Sequence, residues 1–121
     1  MTRPSHAATA IASLVSESAF MRQVTDAAEL FGWEWVHFRP ARTDHGWRTP
    51  VSGPLGKGFV DLILVRDRVI WAELKREEAR GPDADQLRVH DRLRRAGAEV
   101  YVWRPSQIDE VIAELRREAS R

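Results

Sequence analysis

The sequence predicts one α/β domain, a mixed β-sheet flanked by helices in the order α-β-β-β-α-β-α. Three observations predict it. Apolar residues recur at helical spacing in three separate segments, and short apolar runs bounded by glycine and proline lie between them at strand length. The chain has 121 residues, 43% hydrophobic and 31% charged, which is enough for one modest core and unlike a disordered chain.

Residues 1–15 are expected to form an N-terminal tail or the lead-in to a helix, ahead of a domain spanning 16–121. Arg3 precedes the small, apolar run Ala7 to Val15, but this Ala/Ser/Thr mixture is weaker than a secretory apolar core. No stretch approaches the roughly 20 apolar residues needed to cross a bilayer, so the expected location is cytoplasmic. Ser16 is placed to cap the first helix, where Phe20, Val24, Ala27 and Phe31 form the apolar stripe and Gly32 the stop. Trp33 to Phe38 reads as a strand. A long irregular stretch follows, punctuated by Pro40, Gly46, Pro50, Gly53, Pro54, Gly56 and Gly58. Loops of this length inside a small domain are often functional.

Phe59 to Val65 is apolar on both faces, as a buried central strand is. Val69 to Leu74 forms the next strand, after a tight turn around Asp67. Asp83 caps a helix reaching about Ala96, ended by Gly97, and Glu99 to Trp103 is the last strand. Pro105 and Ser106 open the final helix, with Ser106 and Asp109 at capping-box spacing and Ile108, Val111, Ile112 and Leu115 as its buried stripe. Trp33, Trp35, Trp71 and Trp103 lie in strands and read as core.

The absence of cysteine excludes a disulfide framework and thiolate zinc sites. The net charge of +1 argues for nothing by itself, although a strong polyanion binder usually carries more positive charge. Its distribution says more: Arg39, Arg42, Arg48 and Lys57 face a single acid, Asp44, between His37 and Gly58.

The chemistry-bearing residues are polar ones placed where burial is expected. Asp61 interrupts the apolar run 59–65, and an ionised carboxylate there needs a cation or strong hydrogen bonds. Glu73 and Lys75 close the next apolar strand and, two residues apart, share one face of it. Two carboxylates on neighbouring strands make an oxygen-rich site suited to Mg²⁺, and a lysine beside them can orient a water and stabilise charge on a phosphate. Register tests this arrangement. A two-residue hairpin at Asp67-Arg68 would set Leu62 opposite Glu73 and send the two carboxylates to opposite faces, whereas a three-residue connection or a bulge would bring Asp61 opposite Glu73.

These residues resemble a known family. Gly58-Phe59-Val60-Asp61-Leu62, then Ala72-Glu73-Leu74-Lys75, then Gln86 and the strand Val100 to Pro105, look like the PD-(D/E)-x-K nuclease superfamily and, within it, the VRR-NUC branch. The likeness spans Ser16 to Leu115. Val60 stands where the family has proline, a residue that shapes the backbone entering the strand and does no chemistry. The resemblance implies a restriction-endonuclease-like fold and a Mg²⁺-dependent (or Mn²⁺-dependent) DNA endonuclease selective for branched DNA, such as a flap or a four-way Holliday junction. It also implies that Asp61, Glu73 and the carbonyl of Leu74 hold the metal, that Lys75 serves the attacking water, that Gln86 belongs to the catalytic set, and that stand-alone members are homodimers. Glu17 would reach the metal through water, or else is a first-turn acid favoured by the helix dipole. Gln86, an amide on an apolar stripe with Val89, Leu93 and Ala96, needs a partner from the site, the DNA or a backbone carbonyl.

His37, Arg39, Arg42 and Lys57 are candidate phosphate contacts and Trp47 a candidate base contact, against a reading as ordinary solvated side chains. His45 and His90 read as surface residues, and the helix arginines Arg88, Arg92, Arg94 and Arg95 as a solvated face. The histidines have no zinc-site spacing, and Gly56-Lys57-Gly58 lacks the pattern of a phosphate-cradling loop. The competing class is a DNA-binding or structural subunit that keeps the fold without catalysis.

Overall fold

Ser16 does cap the long N-terminal helix: its Oγ accepts from the Ala19 amide at 3.1 Å. The computed structural model describes residues 5–38, 41–44, 46–48 and 51–120, with residues 41–43, 47 and 48 described by backbone alone. The helices are α1 (His6–Ala12), α2 (Glu17–Leu30), α3 (Ala84–Arg95) and α4 (Ile108–Arg116). The strands are β1 (Glu34–His37), β2 (Ala41–Thr43), β3 (Gly46–Arg48), β4 (Leu62–Val65), β5 (Val69–Leu74) and β6 (Glu99–Trp103).

β1, β4, β5 and β6 form one sheet in that order, antiparallel except for the parallel pair β5–β6 that α3 connects. Side chains alternate across it. Leu62, Leu64, Ile70, Ala72 and Leu74 pack with Phe20, Val24 and Ala28 of α2 and Val111 and Leu115 of α4 in one core. The intervening residues, Asp61 and Glu73 among them, face the other side, towards α3. No helix among the described residues is long and apolar enough to cross a membrane.

Four expectations are corrected. Part of the segment read as a tail or lead-in is α1, capped by Ser5 and burying Ala12. The stretch read as irregular contains the antiparallel pair β2–β3. Ser106 makes no capping box with Asp109: its amide and hydroxyl both donate to the Glu77 carboxylate at 2.8 Å, and a 3₁₀ turn (Pro105–Gln107) precedes α4. Trp35 is not core. It lies on edge strand β1, 37% exposed, with its indole donating to Glu29.

The turn from β4 to β5 ties the sheet to the helix ends. Arg66 donates to the carbonyls of Phe31 and Leu115, which end α2 and α4, and its guanidinium lies 4.5 Å from the centre of the Trp33 ring. Arg68 also lies over Trp33 and donates to Glu99 and Glu114. The turn has three residues, so Leu62 pairs with Ala72 and Val65 with Val69. Extended by one pair, that register sets Asp61 opposite Glu73, as the two-carboxylate arrangement requires.

Candidate active site

Asp61 immediately precedes β4 and is fixed from both sides. Its carbonyl accepts from Phe38 at the end of β1, its amide donates to Ala72 of β5, and its carboxylate Oδ2 accepts from the Leu74 amide at 3.0 Å. Glu73, 2% exposed, is its neighbour across the strands. Burial, then the hydrogen bond and like charge of Asp61, push the Glu73 carboxyl up to about 9; Lys75 opposes them. Glu73 Oε1 is buried with no hydrogen-bond partner among the described residues.

Lys75 follows on the same strand face and is half-buried. Its Nζ donates to Gln86 Oε1 at 2.9 Å. The same oxygen accepts from the Asp83 amide at 3.0 Å, while Asp83 Oδ1 accepts from the Gln86 amide at 2.9 Å. The partner of the Gln86 amide is therefore Lys75 together with the helix cap. Glu17, exposed in the first turn of α2, stands at the rim: burial and Asp61 raise its pKa, and Lys75 and Arg76 oppose the rise. Among the described residues no three of His, Cys, Asp and Glu gather closely enough to hold an ion by themselves.

His90 overturns its reading as a surface residue. It is 1% exposed, its Nε2 is 3.8 Å from Glu73 Oε1, and neither ring nitrogen has a hydrogen-bond partner among the described residues. Burial, then Arg94 and Lys75, lower its pKa, with Asp61 and Asp83 opposing. The available signal was its spacing, because His90 lies four residues after Gln86 and so shares its face of the helix.

Two further contacts hold α3 and the loop before it against the strand. Gly58 has φ of +86°, and a Cβ there would lie 2.4 Å from the Asp85 carbonyl carbon, so only glycine permits this approach. Arg104, just after β6, donates to the carbonyls of Arg76, Glu77, Ala79 and Gly81 in the segment between Lys75 and α3. Between the Gly58 loop and the start of α3 a cavity of about 320 Å³ is lined by Phe38, Lys57, Asp61 and Gln86.

The remaining candidates are placed less centrally. Lys57 is exposed, 3.5 Å from Asp85 Oδ2. His37 is half-buried and lines a different groove, with Met21, Arg22 and Trp35 beside α2. Arg39 and His45 lie outside the described residues, as do the side chains of Arg42 and Trp47 in the β2–β3 pair.

No protein-family model matches the sequence, and no curated protein is significantly similar to it. A solved structure described as "VRR_NUC domain" is similar over 82% of this chain and 96% of its own, at 26% identity and a TM-score of 0.58. The shared mixed sheet with its flanking helices, matched over most of both chains, gives this chain the restriction-endonuclease-like fold of a VRR-NUC domain.

Proposed function

We propose that the protein is a divalent-cation-dependent DNA endonuclease. The observation that carries this reading is the side-by-side placement of Asp61 and Glu73, one of them with an orphaned buried oxygen, next to a lysine held by Gln86. Two adjacent carboxylates in a poorly solvated site repel each other unless one is protonated or a cation lies between them. The donor set is oxygen only, which fits Mg²⁺ and also Mn²⁺.

In this reading Asp61, Glu73 and the carbonyl of Leu74 hold the ion, with Glu17 reaching it through water. When bound, it supplies Lewis-acid polarisation of the scissile phosphate. Lys75, pinned at one N–H by Gln86, donates another to the attacking water and brings positive charge near the phosphate oxygens. The water attacks phosphorus in line, losing its proton to solvent as the bond to the leaving oxygen breaks, and that oxygen takes up a proton from solvent. Lys57, at the cavity mouth, and Arg39, Arg42 and Trp47 of the preceding segment meet the DNA; His37 joins them only where the strand passes the α2 side.

The family resemblance extends the reading to branched substrates and to a homodimer, whose twofold axis suits a twofold junction. The test compares nicking of plasmid, flap and four-way-junction DNA with Mg²⁺ and with chelator, for the unaltered chain, Asp61→Ala and Lys75→Ala. Cleavage requires the cation, favours the branched substrates and drops by roughly two to three orders of magnitude in each variant. Cleavage that survives both substitutions overturns the assignment.

A further inference from the structure

We propose that His90 is a positioning residue for Glu73, its imidazole holding the carboxylate in the orientation that faces Asp61 and the cation. The inference rests on the reading that Asp61 and Glu73 hold a divalent cation. It begins from two orphans that face each other. Glu73 Oε1 and His90 Nε2 are both buried, both lack a hydrogen-bond partner among the described residues, and lie 3.8 Å apart. A buried polar ring with no partner costs stability that a leucine in the same space would not. The 3.8 Å gap closes with a small rotation of either side chain, which brings the imidazole N–H onto the carboxylate oxygen.

The geometry of α3 supports this pairing. Gln86 and His90 are four residues apart, a rise of about 6 Å along a helix. Glu73 and Lys75 are two apart, about 6.6 Å along a strand. The two spacings match, so a helix laid along the strand makes two rungs: Gln86 to Lys75, closed at 2.9 Å, and His90 to Glu73. The first rung and the close approach of Gly58 to the Asp85 backbone fix the helix along the strand, which keeps His90 beside Glu73. A hydrogen bond to a ligating carboxylate sets its orientation and raises cation affinity.

The experiment titrates Mg²⁺ and Mn²⁺ calorimetrically into the full chain and into His90→Leu and His90→Gln, with thermal unfolding of each as the check on folding. His90→Leu folds as well as the unaltered chain and binds the cation roughly 10- to 100-fold more weakly. His90→Gln, whose amide N–H can donate to the same oxygen, stays within a few-fold. If His90→Leu does not fold, His90→Met serves as the apolar arm. Unchanged affinity in a folded apolar variant overturns the inference, as does a glutamine variant as weak as the apolar one. An unaltered chain that binds no cation removes the metal-site reading and the inference with it. One that binds the cation, shows the variant pattern and cleaves no DNA leaves the role of His90 standing and removes the nuclease.

Discussion

Without a cation, the carboxyl of Glu73 keeps its proton at neutral pH, because burial and Asp61 hold its pKa near 9, against 4.5 when exposed. The sign of the linkage follows. A folded pKa above the unfolded one stabilises the protein fully below about pH 4.5, and that stabilisation fades as the pH rises through 9. A cation must displace that proton, so binding releases about one proton at pH 7 and affinity climbs with pH across the same window. Calorimetry in buffers of different ionisation enthalpy measures the release, and Glu73→Gln abolishes it. Proton-neutral binding at every pH counts against the arrangement. At this scale the sequence was legible where a charged residue interrupts an apolar run, as Asp61, Glu73 and Lys75 do. His90 was not, because the buried stripe of α3 was drawn through Gln86, Val89, Leu93 and Ala96. Nothing in residue type alone distinguishes a histidine facing a buried carboxylate from one facing water.

α3 is held to the sheet by backbone proximity as much as by side chains, and this gives two further expectations. Gly58→Ala must accommodate a positive φ and a clash with the Asp85 carbonyl. It is expected to cost about 1–3 kcal/mol in urea unfolding and to weaken cation binding, since α3 must retreat from Lys75 and Glu73. Arg104→Ala releases four carbonyls of the 76–81 segment and is expected to cost about 1–3 kcal/mol. A variant with an unshifted urea midpoint would show that the clamp is dispensable. Element limits were legible where caps and stops are local: β5, β6 and the Asp83 cap stand as expected. α1 has no apolar stripe to announce it, and β2–β3 sits among the glycines and prolines that mark loops. Ser106 was misread because its partner, Glu77, lies 29 residues away in sequence.

The whole molecule carries a net charge of only +1, so DNA binding has to come from locally placed cations rather than from a general field. If about three phosphates are neutralised per chain, the logarithm of affinity falls against log salt with a slope of about −3. Filter binding or fluorescence anisotropy across a salt series measures it. A slope twice as steep would indicate two chains engaging the DNA together. The fold was legible as a whole because strand order and burial pattern survive large changes of side chain, as the match to a VRR-NUC structure at 26% identity illustrates.

The parallel pairing of β5 with β6 has a consequence for when activity can arise. Every proposed metal-binding and water-serving residue lies at or before Gln86, yet the Lys75 amide is held by the carbonyl of Trp103 and Glu73 is paired beside Val102. A nascent chain that has emerged only as far as Ala98 therefore carries the full set of reactive groups without the rail that aligns them. On the proposed function, synthesis has to pass the last strand before the site is assembled.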